Sequence, residues 1–495
     1  MEQIQVRWVV SDITVRKIDD VHVQVGAEFG ILQEMAEFFT FFVPGYQFMP
    51  SFKNKVWDGK VRLLNTMSGA IYGGLVPYIL SFAQDRDYTV EVESSAQPMQ
   101  EIDETGVLQF IETLGLPFPP KDYQLKALLH GLRARRTLLL SPTASGKSMI
   151  AHLFTECHRS KPTLIVVPTK GLVTQMRSDL ISYGADERDI QIIMGGHSKI
   201  VEGRIVISTW QSIFELPKAW FKDFRMIIGD EAHLFKANSL LKVMSKLVNC
   251  PIRIGMTGTL DGTKTHKLVL EGLFGTSFEV ENTANLIKDG HLSKFRVRAT
   301  ILEHSAAVKA AHAKSRPTYA EELRFLIRHG PRNQFISDLA LALKGNTIVL
   351  FAIIEHGKEL HRIIQSKAVA GRKVFLIYGA TDAEARDQVR HIVEKESDAI
   401  IIASYGTFST GVNIKNLTNY IPASPAKGRI RVLQSIGRIL RKLEGKEMST
   451  MYDIGDDITW KSRTNHTFSH LKERLLIYGK EDFEVKIFRR PIGDG

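Results

Sequence analysis

Two cysteines, Cys157 and Cys250, in 495 residues exclude a disulfide framework and a cysteine-rich zinc module. Long apolar runs are missing too. None approaches the roughly 20 residues of a membrane span, so a transmembrane helix is excluded. The opening stretch MEQIQVRWVVSDITVRKIDD lacks a basic-then-apolar layout, so no secretory leader is expected. A reducing, cytoplasmic setting fits. Acidic charge is in short supply: 54 Asp and Glu stand against 65 Lys and Arg, giving a net charge of +11 and a pI near 9.4. Residues 1–95 hold 8 basic and 12 acidic side chains, so the excess lies beyond them. It points to a polyanion partner, although a solvated basic surface has the same charge signature.

What is present is ordinary globular material, 44% hydrophobic and 24% charged, in a chain long enough for two or three domains. Residues 1–95 combine β-type alternation (VHVQVGAEF, YTVEVESS) with an apolar stretch at ILQEMAEFFTFF. The polar segment SSAQPMQEIDETG reads as a linker. Beyond it, short β-branched runs alternate with helical-period stretches: TLLL 137–140, LIVV 164–167, RIVI 204–207, MIIG 226–229 and IRIGM 252–256. After 284–300 the texture returns with TIVLF 347–351, KVFLI 373–377, DAIII 398–402 and MYDI 451–454. Buried strands alternating with helices predict parallel sheets with crossover helices, in two α/β lobes without a residue-level repeat.

The stretch TLLLSPTASGKSMI runs from a strand through a loop into a helix. A phosphate loop needs backbone N–H groups in a tight turn, a lysine for the β/γ oxygens and a hydroxyl for Mg²⁺. Ser141, Pro142, Thr143, Ala144, Ser145 and Gly146 supply the turn, Lys147 the charge and Ser148 the hydroxyl. Ser141 replaces the usual opening glycine; it is small, and it is tolerable there if its φ stays below zero. Downstream, MIIGDEAHLF puts carboxylates at the C-terminal end of a buried strand, the ligand edge of an open α/β sheet. Asp230 is expected to hold Mg²⁺ and Glu231 to polarise an attacking water. His233 suits a coupling role. Zinc is the rival, but no second histidine stands at helical spacing from Glu231; plain surface carboxylates are the other alternative.

Phosphate loop, then DEAH, then MTGT at 256–259 is the order found in superfamily 2 helicases, and the resemblance extends from about 118 to 445. It implies two RecA-like motor lobes that bind and hydrolyse ATP with Mg²⁺. KDYQLKAL resembles the family's adenine-reading segment, with Gln124 as the base reader. VVPTKGLVTQM, through Pro168, Thr169 and Gln175, and ISTWQSI, through Thr209 and Gln211, resemble motifs that lie along a nucleic-acid strand. Thr257 and Thr259 resemble the pair that links hydrolysis to lobe movement. In ASYGTFSTGVNIKN the resemblance puts Ser404 on a DNA phosphate and Gly411 and Asn413 at the nucleotide, where many members have aspartate in place of Asn413. In QSIGRILR it puts Gln434 near the attacking water and makes Arg438 and Arg441 arginine fingers. At i and i+3 on a helix those arginines would share a face. A basic surface helix is the alternative for that pair taken alone.

DEAH together with TGT and QSIGRILR resembles the DNA-repair and restriction branch that includes XPB-type and RecG-type translocases. One further stretch narrows it. YQFMPSFKNKVWDGKVRLLN, 46–65, interleaves Lys53, Lys55, Lys60 and Arg62 with Tyr46, Phe48, Phe52 and Trp57. Asp58-Gly59 signals a hairpin turn, predicting a small β-ribbon whose lysines meet phosphates and whose aromatics stack on bases. These aromatics could equally be the core of a small domain. The whole layout resembles phage-encoded recombination and repair helicases. That implies 3′→5′ remodelling of forks, Holliday junctions and R-loops by a monomer, alongside single-stranded-DNA-binding and recombination proteins, in a host cytoplasm. An RNA helicase, or a junction-binding protein that uses ATP only as a switch, is the alternative.

The expected fold is therefore α/β, with two tandem RecA-like lobes after a small α+β domain. Expected boundaries are 1–95 for the accessory DNA-binding domain, 96–290 for the nucleotide-binding lobe, 291–455 for the second lobe and 456–495 for a C-terminal extension. That extension would complete the second lobe or add a DNA contact.

Overall fold

The computed structural model describes residues 11–494 apart from 236–237, 261, 411–413, 426–427 and 444–445. The chain divides into two compact units, Met1–Ser141 with Gly146–Val280, and Glu281–Gly495 with the short loop segment Pro142–Ser145. The first contains a small α/β module and a seven-stranded sheet; the second contains another seven-stranded sheet.

In the first lobe the strands lie in the order Ser277–Glu279, Arg136–Leu140, Ile252–Thr257, Met226–Asp230, Thr163–Val167, Ile205–Thr209, Ile190–Ile193, all parallel. Central strands such as TLIVV, IVIST and MIIGD are buried along their whole length, because helices cover both faces of the sheet. Strand period two sorts the side chains: Leu139, Ile165, Ile207 and Ile228 pack into one core, while their neighbours Leu138, Leu164, Val206 and Ile227 pack into the other. The carboxyl ends of the central strands deliver Ser141, Pro168, Trp210, Glu231 and Gly258 to one edge.

The small module is a mixed sheet ordered Ala70–Tyr72, His22–Ala27, Ile13–Lys17, Val90–Val92. Helices Phe29–Phe38 and Val76–Gln84 supply Met35, Ile79 and Phe82 to its core, which also takes in Leu268 of the first lobe. A separate ribbon pairs Thr40–Phe42 with Lys60–Arg62, antiparallel. It is not the tight hairpin expected at Asp58-Gly59. The connection 43–59 holds a short 3₁₀ turn, Tyr46–Phe48, and a helical turn, Pro50–Lys53. Asp58-Gly59 instead closes this excursion: Gly59 has φ 81°, and Asp58 accepts from the Lys60 amide at 3.1 Å.

In the second lobe the order is Val374–Ile377, Ile400–Ser404, Thr347–Phe351, Asn419–Pro422, Met448–Asp457, Lys294–Glu303, Glu484–Pro491, again parallel. Residues 456–494 build onto this sheet. Helix His466–Lys480 packs on it, and Glu484–Pro491 pairs with Lys294–Glu303 as its edge strand. Among the described residues no helix is long and apolar enough to cross a membrane.

Candidate functional site

The phosphate loop follows directly from the strand Arg136–Leu140. Ser141 is fully buried, and its amide donates to the Thr257 carbonyl at 2.8 Å, which ties the loop entry to the MTGT strand. The left-handed positions of the loop are Ala144 (φ 71°) and Gly146 (φ 79°); Ser141 is not one of them. The missing first glycine is therefore no obstacle, since that place needs no positive φ. Ser145 Oγ donates to the Pro142 carbonyl at 2.7 Å, which tightens the turn. Lys147 opens the helix Lys147–Cys157, and its Nζ donates to the Ser141 carbonyl at 3.2 Å across the mouth of the loop.

Gln124 is buried against this loop. A Cβ at Gly146 would stand 2.4 Å from Gln124 Nε2, so glycine is needed there for close approach as well as for φ. Gln124 Oε1 accepts from the Lys121 amide at 2.9 Å, which holds the side chain at the start of helix Asp122–Ala134. Ser148 Oγ hydrogen-bonds Tyr183 Oη at 3.1 Å. Tyr183 was invisible to sequence reasoning, because it lies 35 residues away and belongs to no local motif.

Asp230 ends its strand, buried, with Oδ1 lacking a hydrogen-bond partner. Burial, and then the Glu231 charge beside it, push its carboxyl up to about 6. An orphaned, destabilised carboxylate oxygen on the strand that adjoins MTGT fits a divalent cation. Glu231 is left-handed (φ 50°), which turns the chain out of the sheet edge. His233 Nδ1 lies 2.9 Å from Thr257 Oγ1 and 3.3 Å from Glu231 Oε2; Thr257 Oγ1 in turn donates to the Thr259 carbonyl at 3.3 Å. The acidic tetrad and MTGT are thus one hydrogen-bonded unit.

The strand-contacting motifs sit on the same lobe. Thr169 caps helix Lys170–Ser182 by accepting from the Leu172 amide at 3.4 Å, and Gln175 lies half-buried along that helix. Gln211 Nε2 reaches the Pro168 carbonyl at 3.4 Å, joining the two motifs. Thr209 is buried and its hydroxyl bonds Ser212 Oγ at 2.9 Å, while Gln211 is exposed.

In the second lobe Ser404 ends Ile400–Ser404, with its hydroxyl 2.8 Å from Thr407 Oγ1. Gln434 and Arg438 are half-buried on helix Arg429–Ile439, with the Arg438 guanidinium 5.8 Å from the Phe408 ring centroid. The shared helical face expected for the arginines is not found. The helix stops at Ile439, and Arg441 sits in an isolated bridge with Leu292. Lys446 enforces the stop: its ammonium donates to the carbonyls of Ile439 and, at 3.1 Å, Arg441. Gly411 and Asn413 lie outside the described residues.

On the N-terminal ribbon, Phe48 is 78% exposed, and Lys53 and Lys55 are exposed around it. Phe52 packs edge-on against Tyr46, with ring centroids 4.7 Å apart, and Trp57 Nε1 donates to the Lys60 carbonyl at 2.9 Å. Neither these two nor Phe48 joins the buried core of the module. Arg62 is held by Asp58 and Lys60 lies over the Phe42 ring at 5.0 Å, so those two cations already have partners.

Two seven-stranded parallel lobes, a phosphate loop and an acidic tetrad both bonded to the MTGT strand, and a helix bearing QSIGR define an ATP-dependent superfamily 2 helicase. Comparison with known proteins agrees along the chain. Residues 12–93 match the family described as DNA helicase UvsW, N-terminal; 117–262 match the type III restriction enzyme res subunit; 332–442 match the helicase conserved C-terminal domain. The ATP-dependent DNA helicase uvsW of Enterobacteria phage T4 is 32% identical over 95% of this chain and 98% of its own. The DNA 3′-5′ translocase XPB2 of Sulfurisphaera tokodaii is 25% identical over 66% of this chain and 81% of its own. The crystal structure of T4 UvsW superposes with a TM-score of 0.51 at 30% identity, covering 97% of this chain and 99% of that one. A type I restriction enzyme HsdR fragment from Vibrio vulnificus, 18% identical, shares the fold with a TM-score of 0.57 over 83% of this chain and 74% of its own. The chain belongs to the UvsW family of ATP-dependent DNA helicases.

Proposed function

We propose that this protein is an ATP-driven motor that remodels branched DNA by fork regression, Holliday-junction migration and R-loop dissolution, with 3′→5′ polarity. Its setting is recombination, repair and replication in a bacterial host cytoplasm, as a monomer working beside single-stranded-DNA-binding and recombination proteins. The observation that carries the branched-DNA reading is the exposed excursion 43–59, which presents Phe48, Lys53 and Lys55 to solvent ahead of the motor. Lysines there neutralise phosphates, and an exposed aromatic stacks on an unpaired base at a junction.

In this reading residues 1–95 form the accessory domain and the two lobes divide the chemistry. The loop 141–146 cradles the phosphates, Lys147 leaves the Ser141 carbonyl for the β/γ oxygens, and Gln124 reads the adenine. Ser148 and Asp230 would hold Mg²⁺, which would supply positive charge to the triphosphate. Glu231 takes a proton from the attacking water, and Gln434 orients that water. Arg438 and Arg441 stabilise the charge that builds on the γ-phosphoryl group, a contribution on the order of 10³–10⁵ in rate for arginine fingers. The family resemblance assigns nucleotide contacts to Gly411 and Asn413, which lie outside the described residues. Thr169, Gln175, Gln211 and Ser404 grip one DNA backbone alternately, supported by Pro168 and Thr209, while His233, Thr257 and Thr259 pass the hydrolysis state to that grip. Trp57, Lys60 and Arg62 shape the ribbon beneath the exposed lysines.

The test is ATP turnover with single-stranded, duplex, forked and four-way DNA and one RNA. Strong stimulation by the branched DNAs is expected; a flat response, or a preference for RNA, overturns the proposal.

A further inference from the structure

The Lys446 ammonium that stops helix Arg429–Ile439 does more than end it. Lys446 is 8% exposed, and its ammonium, with three hydrogens to give, donates to three backbone carbonyls. They belong to Ile439, to Arg441 at 3.1 Å and to Lys415 at 3.4 Å. Ile439 is the last residue of the helix that bears Gln434 and Arg438, and Lys415 stands two residues beyond Asn413. One buried nitrogen thus joins the stretch ASYGTFSTGVNIKN to the end of QSIGRILR.

Three observations set Lys446 apart from ordinary core. First, a buried ammonium is costly, and methionine would fill much the same space without a charge. Among the described residues its partners are these three carbonyls and no carboxylate. Burial, and then the Arg441 charge, push its pKa down to about 8. Second, the backbone that leads into Arg441 is held from two sides. The carbonyls of Ile439 and Arg441 go to Lys446, while that of Leu440 accepts from the Ser293 amide at 2.9 Å and the Ser293 hydroxyl at 3.1 Å. The carbonyls that a helix end leaves open are therefore taken, and the backbone carrying Arg441 is clamped. Third, these contacts fix where the helix stops. The Leu440 amide still donates to the Ile436 carbonyl at 3.1 Å, but Arg441 leaves the helix to bridge Leu292. A continued turn would put Arg441 on the face of Arg438. The clamp holds the origins of the two side chains apart.

We infer that Lys446 is a positioning residue that sets Arg441 for ATP hydrolysis by clamping its backbone against Ile439 and Lys415. The inference rests on the finger role proposed above for Arg441. Lys446 acts through that arginine and does not itself meet the nucleotide. Without the ammonium three carbonyls lose their donor, and the guanidinium reaches the developing charge from a displaced origin. A displacement of about 1 Å costs on the order of 10²-fold in rate. In the proposed mechanism ATP is held by the phosphate loop and Gln124, so the loss falls on kcat and spares KM.

The experiment uses the full chain with saturating forked DNA and reads kcat, ATP KM and Tm. The variants are Lys446→Met, Arg441→Ala and the two combined. Lys446→Met keeps the length of the side chain and removes its donors. It should lower kcat by about tenfold to a hundredfold, with KM within about twofold of wild type. Arg441→Ala should lower kcat further, and adding Lys446→Met to it should change kcat by less than about twofold, because one change acts through the other. Lys446→Gln, which still donates twice, should give a smaller kcat loss at the same KM, so that loss of the fold in Lys446→Met does not hide the result. Ser449→Ala removes a bond of 3.1 Å to the Ile439 carbonyl and none to Arg441; it should lower Tm and leave kcat intact. Normal kcat in both Lys446 variants, a loss confined to KM, losses that multiply with Arg441→Ala, or an equal loss in Ser449→Ala overturns the inference and leaves the finger reading standing. Full kcat in Arg441→Ala overturns the finger reading, and this inference with it.

Discussion

His233 Nδ1 and Thr257 Oγ1 lie 2.9 Å apart, joining the acidic tetrad to the strand that flanks the phosphate loop. Because Thr257 also receives the Ser141 amide on its carbonyl, a movement at either motif is felt at the other. His233→Ala is therefore expected to keep most basal ATP turnover and to raise the ATP consumed per base pair displaced about tenfold, since losing one such bond costs about 1 kcal/mol or slightly more. Parallel turnover and strand-displacement assays check this. A proportionate fall in both would place His233 in the chemistry itself.

Lys147 bridges the mouth of the loop to Ser141, so its removal deletes the only lysine of the loop segment 141–148. Lys147→Ala should lower ATP turnover by a factor on the order of 10² or more, as for removal of a group aimed at developing charge. Forked-DNA affinity measured without nucleotide should stay within twofold. Full turnover in this variant would remove the loop from the proposed mechanism.

The exposed cations of the excursion should act through counterion release. Replacing Lys53 and Lys55 together by alanine is expected to flatten the plot of log K against log salt for forked DNA by about 1.8, or about 0.9 for each phosphate no longer neutralised. Phe48→Ala, at a side chain 78% exposed, should leave Tm unchanged and narrow the preference for forks over duplex. An unchanged salt slope would leave the ribbon a structural element only.

Glu322 governs a pH response in the second lobe. Its carboxylate accepts from the Thr467 amide at 2.6 Å, Asn465 Nδ2 at 3.0 Å and the His466 amide at 3.0 Å, and pairs with His312 at 3.2 Å. Burial pushes its pKa up, but these bonds outweigh burial and hold it at about 2, below the ordinary 4.5. A depressed carboxylate stabilises the fold above its unfolded pKa and loses that contribution as pH falls, so the loss should run from about 4.5 down to about 2. Glu322→Gln should lower Tm at pH 7 by several degrees and flatten the Tm-versus-pH profile across that window. A profile as steep as wild type would assign the acid sensitivity to other groups.

The phosphate loop and the acidic tetrad were legible because each is a short run that puts its groups at a strand end, while MTGT and QSIGR were legible through their resemblance to superfamily 2 helicase motifs. The buried strands were legible because helices cover both faces of the sheets, leaving continuous β-branched runs in the sequence. The tight hairpin expected at Asp58-Gly59 does not form. That pair does make a positive-φ turn, but the strand pairing of Phe42 with Lys60 sets the turn at the end of an excursion. The common helical face of Arg438 and Arg441 failed for a similar reason, since the buried Lys446 ammonium ends the helix between them.

Local order thus determined which segments are strands, where the loop turns and which side chains stand at strand ends, because those depend on spacings of a few residues. Tertiary structure decided the partners: Tyr183 for Ser148, Thr257 for His233, Arg474 for Asp453, and the edge strand Glu484–Pro491 for Lys294–Glu303. These pairs are separated by 35, 24, 21 and well over a hundred residues. At such distances a hydrogen bond is chosen by packing and burial, which no periodicity in the chain records.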